Sequence, residues 1–203
     1  MELRDDEEIQ RLTERWIAGD EEALEALLDQ YLPGLRAFVR LRAGPMLRAR
    51  ESNSDLVQSI CREVLTHKER FQHPSPAAFK QWLYTTAQRK IANRYEHWRT
   101  AKRDVGREEA GVSGASSDEG RLLGAYRDFI SPSRELMAQE EIARIEAAFD
   151  ELSEEYREVI LLAKVAGLSR QEIGERMGKK EGAVRTLLSR ALAKLAEALD
   201  TGA

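Results

Sequence analysis

The sequence predicts an all-α chain: two small helical domains joined by a flexible acidic linker, the C-terminal one containing a helix-turn-helix. Three observations carry that expectation. Good helix formers (Ala, Leu, Glu, Arg) dominate, only 6% of residues are aromatic, and no stretch alternates apolar and polar residues over strand length. Apolar residues instead recur at helical spacing behind serine, aspartate or proline start signals. Over residues 104–131 this periodicity lapses into Gly, Ser and acids, dividing the 203 residues into domains at 1–103 and 132–203.

Residues 1–29 carry eleven acids against Arg4, Arg11 and Arg15. Leu12 and Trp16, then Ala23, Leu24, Leu27, Leu28 and Tyr31, mark a helix pair, with Gly19-Asp20 as stop and fresh cap. Leu35, Phe38, Val39 and Leu41 extend the second helix to Gly44-Pro45, unless Pro33-Gly34 kinks it earlier. Ser52-Asn53-Ser54 opens a third helix, expected from Asp55 to about Phe71, with Leu56, Val57, Ile60, Val64 and Leu65 facing inward. Ser75 and Pro76 form a cap and first-turn pair for a fourth helix over about 77–102. Its first half is apolar through Phe79, Trp82, Leu83, Ala87 and Ile91. Ser131-Pro132 restarts the pattern; Leu136, Ile142, Ile145 and Phe149 predict one helix, and Ser153 caps another expected to bury Tyr156, Val159, Ile160 and Leu162.

The stretch from Gly167 to Leu195 is the most specific. Ser169 followed by Glu172 is a capping box, Gly178 supplies the left-handed angles of a sharp turn, and Val184, Leu187, Leu188, Ala191 and Leu195 repeat at helical spacing after it. Gly174 falls where the first helix would pass closest to the second. The pattern is that of a helix-turn-helix, whose second helix enters the major groove. That helix and the turn before it carry Lys179, Lys180, Arg185, Thr186, Ser189, Arg190 and Lys194 against one acid, Glu181. Arginine can fork onto a guanine edge, while lysine and hydroxyls hold phosphates. An amphipathic hairpin with a solvated basic face is the plainer alternative.

A net charge of −4 conceals this segregation. From Lys80 to Arg103 there are seven basic residues and one acid, Glu96, interleaved with Tyr95, His97 and Trp98. Bases that track phosphates beside aromatics that stack on unpaired bases suit melted nucleic acid. Alternatively, Tyr95 and Trp98 simply finish the core. From Glu135 to Glu158 nine acids face only Arg144 and Arg157, and these acids are expected to point away from DNA. One cysteine, Cys61, excludes a disulfide framework and a cysteine metal site, and reads as a buried small hydrophobe. His67, His73 and His97 lack ligand spacing with carboxylates, so no metal and no other cofactor is expected. With no signal peptide and no apolar run long enough for a bilayer, no membrane partner and a cytoplasmic setting are expected.

Taken together, the chain resembles a bacterial extracytoplasmic-function sigma factor, and the likeness covers nearly all of it. Residues 152–195 resemble the family's promoter-reading module. Trp16 to Tyr31, Asp55-Leu56-Val57-Gln58 and Phe79-Lys80-Gln81-Trp82-Leu83-Tyr84 resemble its polymerase-binding and promoter-melting segments. The resemblance implies a non-enzymatic, dissociable specificity subunit. Lys179, Lys180, Arg185, Thr186, Ser189 and Arg190 would face the upstream (minus thirty-five) promoter element. Gln72, His73, Ser75, Arg89, Lys90, Asn93, Arg94, His97 and Trp98 would hold the downstream (minus ten) element. Asp55, Leu56, Gln58, Ser59 and Arg62 would bind core RNA polymerase, through the clamp of its large subunit, whose flap would be a further contact. The linker would follow the RNA exit path. An anti-sigma factor or a Ser/Thr kinase is a further implied partner: such factors carry several acids where this chain has Asn53 and Ser54. Phosphorylation of Ser52 or Ser54 would restore that charge, unless these residues serve only as the helix cap. The main rival is an autonomous helix-turn-helix regulator with a helical dimerisation or sensor domain. An enzyme acting on nucleic acid would need a carboxylate or histidine cluster that the sequence lacks.

Overall fold

The computed structural model describes residues 2–71, 75–101 and 137–201, and these residues hold eight α-helices and no strand. Helix α1 (Glu2–Ile17) ends at Gly19, whose φ of 98° turns the chain, and Asp20 caps α2 (Glu21–Arg48) by accepting from the N–H groups of Glu22 and Ala23. Arg15 holds the same carboxylate at 2.6 Å, and this hydrogen bond is the main reason that the Asp20 carboxyl lies below its ordinary range. Pro33 is absorbed into α2 without ending it. The helical path breaks at Gly44 (φ 61°, ψ 171°), and Pro45 opens a last turn to Arg48.

Ser52 caps α3 (Asn53–Thr66), accepting from the Asp55 N–H at 3.0 Å. The helix stops short of the expected Phe71, because the backbone of His67 (φ −115°, ψ 29°) leaves the helical region and a 3₁₀ turn follows (Lys68–Arg70). Phe71 then stacks on Trp16 at 4.7 Å and lies 5.9 Å from Phe79, closing an aromatic cluster over the end of α1. Leu65, expected inside, is 37% exposed: Leu56, Val57, Ile60 and Val64 already fill the inward face of α3. Helix α4 (Pro76–Ala101) begins as expected, with Ser75 Oγ accepting from the Ala78 N–H at 3.1 Å.

In the second half, α5 (Met137–Glu151) precedes α6 (Glu154–Ile160), which Ser153 caps. Tyr156 stays half-buried rather than joining the core. Helix α6 runs on into a π turn (Leu161–Val165), in which the Ala166 N–H reaches five residues back to the Leu161 carbonyl at 2.8 Å. Helices α7 (Arg170–Met177) and α8 (Glu181–Thr201) follow. Ser131, Pro132 and Leu136, with the expected linker, lie outside the described residues.

The two halves share one core. Leu24, Phe38, Phe79, Leu83 and Tyr84 are buried in the first, Phe149, Ile160, Ile173, Val184 and Leu195 in the second, and α2 packs directly on α5 and the π turn. Full burial of such side chains stabilises by about 1.5–3 kcal/mol each, enough to hold short helices that would be marginal alone. Three acids of α5 and α6, read from the sequence as pointing away from DNA, meet arginines of α2. Glu146 accepts from Arg40 and lies 3.6 Å from Arg48, Asp150 accepts from Arg48, and Glu154 accepts from Arg42 at 2.7 Å.

Candidate nucleic-acid interface

The helix-turn-helix forms through local chemistry. Ser169 Oγ accepts from the Glu172 N–H at 3.2 Å and the Glu172 carboxylate accepts from the Ser169 N–H at 2.7 Å, so two of the four orphan donors at the start of α7 are satisfied. Gly178 adopts φ 65° and ends the helix. Gly174 is required by proximity: a Cβ there would stand 2.5 Å from the Lys179 carbonyl oxygen and 3.7 Å from Val184 Cγ2. The close approach is therefore to the turn first and to α8 second.

Val184, Ala191 and Leu195 seat α8 in the core, with Leu187 and Leu188 half-buried. This fixes which face is presented. Lys180, Arg185, Thr186, Ser189 and Arg190 are all exposed on it. Thr186 Oγ1 donates to the Gly182 carbonyl at 3.1 Å, which orients its hydroxyl. Lys179 differs: it is half-buried, and its ammonium lies 2.7 Å from Glu155 of α6.

The basic stripe on α4 is arranged otherwise. Lys90, Arg94 and Trp98 succeed one another at i, i+4 and i+8, and their partners are Glu63 on α3 and Glu51 in the turn before it. Glu63 accepts from Arg89 and, at 2.9 Å, from Lys90. Burial would raise the Glu63 carboxyl, but these two cations outweigh it and hold the group below its ordinary value. Glu51 accepts from the Trp98 indole N–H at 2.8 Å and lies 3.4 Å from Arg94. The guanidinium of Arg50 sits 5.0 Å from the Trp98 ring centre. Asn93 and His97 are exposed, and the His97 ring meets Trp98 edge-on at 5.2 Å. Tyr95 turns into the seam between the halves, where its hydroxyl donates to the Ala43 carbonyl. Ser75 serves as the α4 cap; Gln72 and His73 lie outside the described residues.

On α3, Asp55, Gln58 and Arg62 are exposed and Ser59 is half-buried. Leu56 is 1% exposed and belongs to the core, as its inward spacing predicts, which corrects the second expectation that it also serves as a polymerase contact. Ser52 and Ser54 are both exposed, but Ser52 Oγ accepts from the Asp55 N–H and donates to Asp55 Oδ2 at 2.7 Å, which commits it to the cap. Cys61 is half-buried, and burial raises its thiol, opposite to what a nucleophile needs. Among the described residues no cluster of His, Cys, Asp or Glu could hold a metal ion, and no helix is long and apolar enough to cross a membrane. Sequence reasoning missed Arg50, Glu51 and Glu63. Nothing in local spacing ties Glu63 to a partner 26 residues away.

The chain is similar to known proteins in sequence and in fold. The profile for Sigma-70 region 2 matches residues 27–103, and that for Sigma-70 region 4 matches residues 142–195. The chain is 27% identical over 179 residues to the ECF RNA polymerase sigma factor SigD of Mycobacterium tuberculosis, covering 88% of this chain and 78% of that one. It is 29% identical over 196 residues to the ECF RNA polymerase sigma factor ShbA of Streptomyces griseus, covering 95% and 97%. In fold it is similar to CnrH, solved in complex with the cytosolic domain of CnrY, with a TM-score of 0.61 and 23% identity over 97% of this chain and 99% of that one. It is also similar to the sigma factor RpoE of Bartonella quintana, solved in complex with the anti-sigma factor NepR, with a TM-score of 0.56 and 23% identity over 86% and 95%. Two Sigma-70 profiles in order, on the helices that carry the two basic faces, together with relatives of the extracytoplasmic-function class along 88–95% of the chain, settle the family: the chain belongs to the extracytoplasmic-function sigma factors of RNA polymerase.

Proposed function

We propose that the chain divides its labour at the linker. Residues 1–103 bind core polymerase and open the downstream element, residues 104–131 tether, and residues 132–203 read the upstream element. The observation that carries this reading is the exposed face of α8, seated by Val184, Ala191 and Leu195 behind a capped turn. Arg185 and Arg190 fork onto base edges there, while Lys180, Thr186 and Ser189 hold the backbone. On α4, Arg89, Lys90 and Arg94 track phosphates and Trp98 stacks on an unpaired base, with Asn93 and His97 beside it. Asp55, Gln58 and Arg62 form the exposed polymerase contact on α3. The chain itself makes and breaks no covalent bond; the polymerase does the chemistry, in the cytoplasm. Because two structural relatives were solved with CnrY and the anti-sigma factor NepR, an anti-sigma protein is the expected antagonist.

Run-off transcription with core polymerase on a random promoter library tests this reading. Enrichment of two separated sequence blocks, dependent on both proteins, is expected. Tight binding to a palindromic duplex without polymerase, and no stimulated transcript, would instead identify an autonomous regulator.

A further inference from the structure

One cation beside the α4 stripe has no part in the division of labour. Arg50 stands in the turn between α2 and α3, and its guanidinium lies over the Trp98 indole, 5.0 Å from the ring centre. The next residue holds the same ring by its edge, for Glu51 accepts from the indole N–H at 2.8 Å. Its other carboxylate oxygen lies 3.4 Å from Arg94 Nε, one turn earlier on α4. Consecutive residues of a single turn therefore fix the indole from two directions.

Charge balance separates Arg50 from the stripe it adjoins. Glu63 answers Arg89 and Lys90, and Glu51 is spent on Trp98 and Arg94. Arg50 is exposed, and among the described residues no carboxylate pairs with it. A guanidinium laid over a ring keeps its N–H donors, because they lie in its own plane and point outward at the rim. The stack also orders the side chain before any ligand arrives, so less freedom is lost on binding. A flat charged fork suits the paired oxygens of a phosphodiester better than a point charge does. An unpaired nucleotide offers both a phosphate and a bare base face, and a fork beside an aromatic ring can take both. In a duplex the base faces are already stacked, and the ring would go unused.

We propose that Arg50 and Trp98 form a nucleotide seat at the turn between α2 and α3. Arg50 takes the phosphate of one unpaired nucleotide of the opened strand, and the base of that nucleotide meets the indole. The seat rests on the division of labour above and adds to it a contact from outside α4. It also gives the internally answered stripe a starting point. The unpaired cation meets the strand first, and the phosphates that follow compete with Glu63 for Arg89 and Lys90.

Promoter opening measured against salt tests the seat. Core polymerase is saturated with full-length factor on a promoter drawn from the random library, carrying 2-aminopurine in its downstream element. Arg50→Ala should open that promoter less, with a slope of log K against log salt shallower by about 0.7, the share of one single-strand phosphate contact. Arg50→Gln, which keeps most of the side chain and removes the charge, should give the same shallower slope. Arg50→Lys should retain the slope of the unsubstituted protein. An Arg50→Ala or Arg50→Gln slope equal to the unsubstituted one overturns the seat and leaves Arg50 as a brace for the ring. So does an Arg50→Lys slope as shallow as that of Arg50→Ala, which would mean that the fold and not the charge had been lost. The same change of slope in core binding without DNA places Arg50 on the polymerase, and this also overturns the seat. A library that yields no promoter for the unsubstituted protein overturns the division of labour instead.

Discussion

The two basic helices of this protein are presented in opposite ways. On α8 the arginines at 185 and 190 are exposed, and among the described residues no ion pair holds either side chain. On α4 Arg89, Lys90, Arg94 and Trp98 each have an intramolecular partner, Glu63 or Glu51. Under the proposed function, the difference follows from what each helix would bind. A duplex groove is a standing target, so a reader profits from side chains that are already aimed. A melted strand exists only after opening, and a stripe whose cations are answered internally does not compete for the wrong nucleic acid beforehand. Preorganisation on one helix and internal neutralisation on the other are two solutions to specificity in one chain.

Breaking the aimed helix should produce the largest effect. Gly174→Val places branched carbon against the Lys179 carbonyl, a backbone atom that cannot step aside, and should cost about 3 kcal/mol. A lower Tm is expected, together with loss of upstream-element binding while single-strand binding through α4 survives. Next, Arg185→Ala and Arg190→Ala should each weaken upstream recognition by about 1–3 kcal/mol, concentrated at particular base pairs. Equal weakening on every sequence, in a binding titration over variant promoters, would show phosphate contact only. Trp98→Ala should impair promoter opening by about 1–2 kcal/mol, the low end of base stacking, because Arg50 already lies against the ring. Fluorescence of 2-aminopurine in the downstream element measures opening directly; an unfolded variant would mean that the ring belongs to the core.

The smallest effect sharpens the other side of the comparison. Glu63→Gln frees Arg89 and Lys90, so the isolated protein should bind a single-stranded oligonucleotide more tightly, with a salt slope steeper by about 1.4 for two added phosphate contacts. Stability should fall by at most about 1 kcal/mol, since Arg89 is exposed. The Glu63 carboxyl is held below its unfolded value, so its contribution is complete above that value and is lost as pH falls through the lower, folded one. Acid titration of unfolding should therefore separate wild type from Glu63→Gln above this window and bring them together below it.

Local chemistry was readable in the sequence and long-range chemistry was not. Asp20, Ser52, Ser75, Ser153 and Ser169 each announce a helix through a side-chain oxygen that reaches two or three residues along the chain, and each is found doing so. The turn at Gly178 and the break at Gly44-Pro45 are readable for the same reason. Helical spacing already placed Leu56 on the inward face of α3, and only the short Asp55-Leu56-Val57-Gln58 motif suggested a surface role for it. The seam was beyond reach, because Arg40 and Glu146 are 106 residues apart and charge complementarity at that separation leaves no periodic mark. The internal partners of the α4 stripe, Glu51 and Glu63, were hidden likewise.

The π turn between α6 and α7 has a bearing on how this chain can tolerate change. A wide turn holds one residue more than the α-helix it interrupts, and Leu161–Val165 is such a place. Deletion of one residue here would let α6 run on as a regular helix. Because the wide turn winds about 100° less than the same residues would in an α-helix, one residue's share of a 3.6-residue turn, that shortening leaves Ser169, Gly174 and the whole of α8 close to their present direction. An added residue finds no such slack, and would swing the exposed face of α8 by about 100° about the α6 axis without altering any of its own residues. A length change of one codon in this segment therefore has a sign: loss is absorbed, and gain is an inherited steering error.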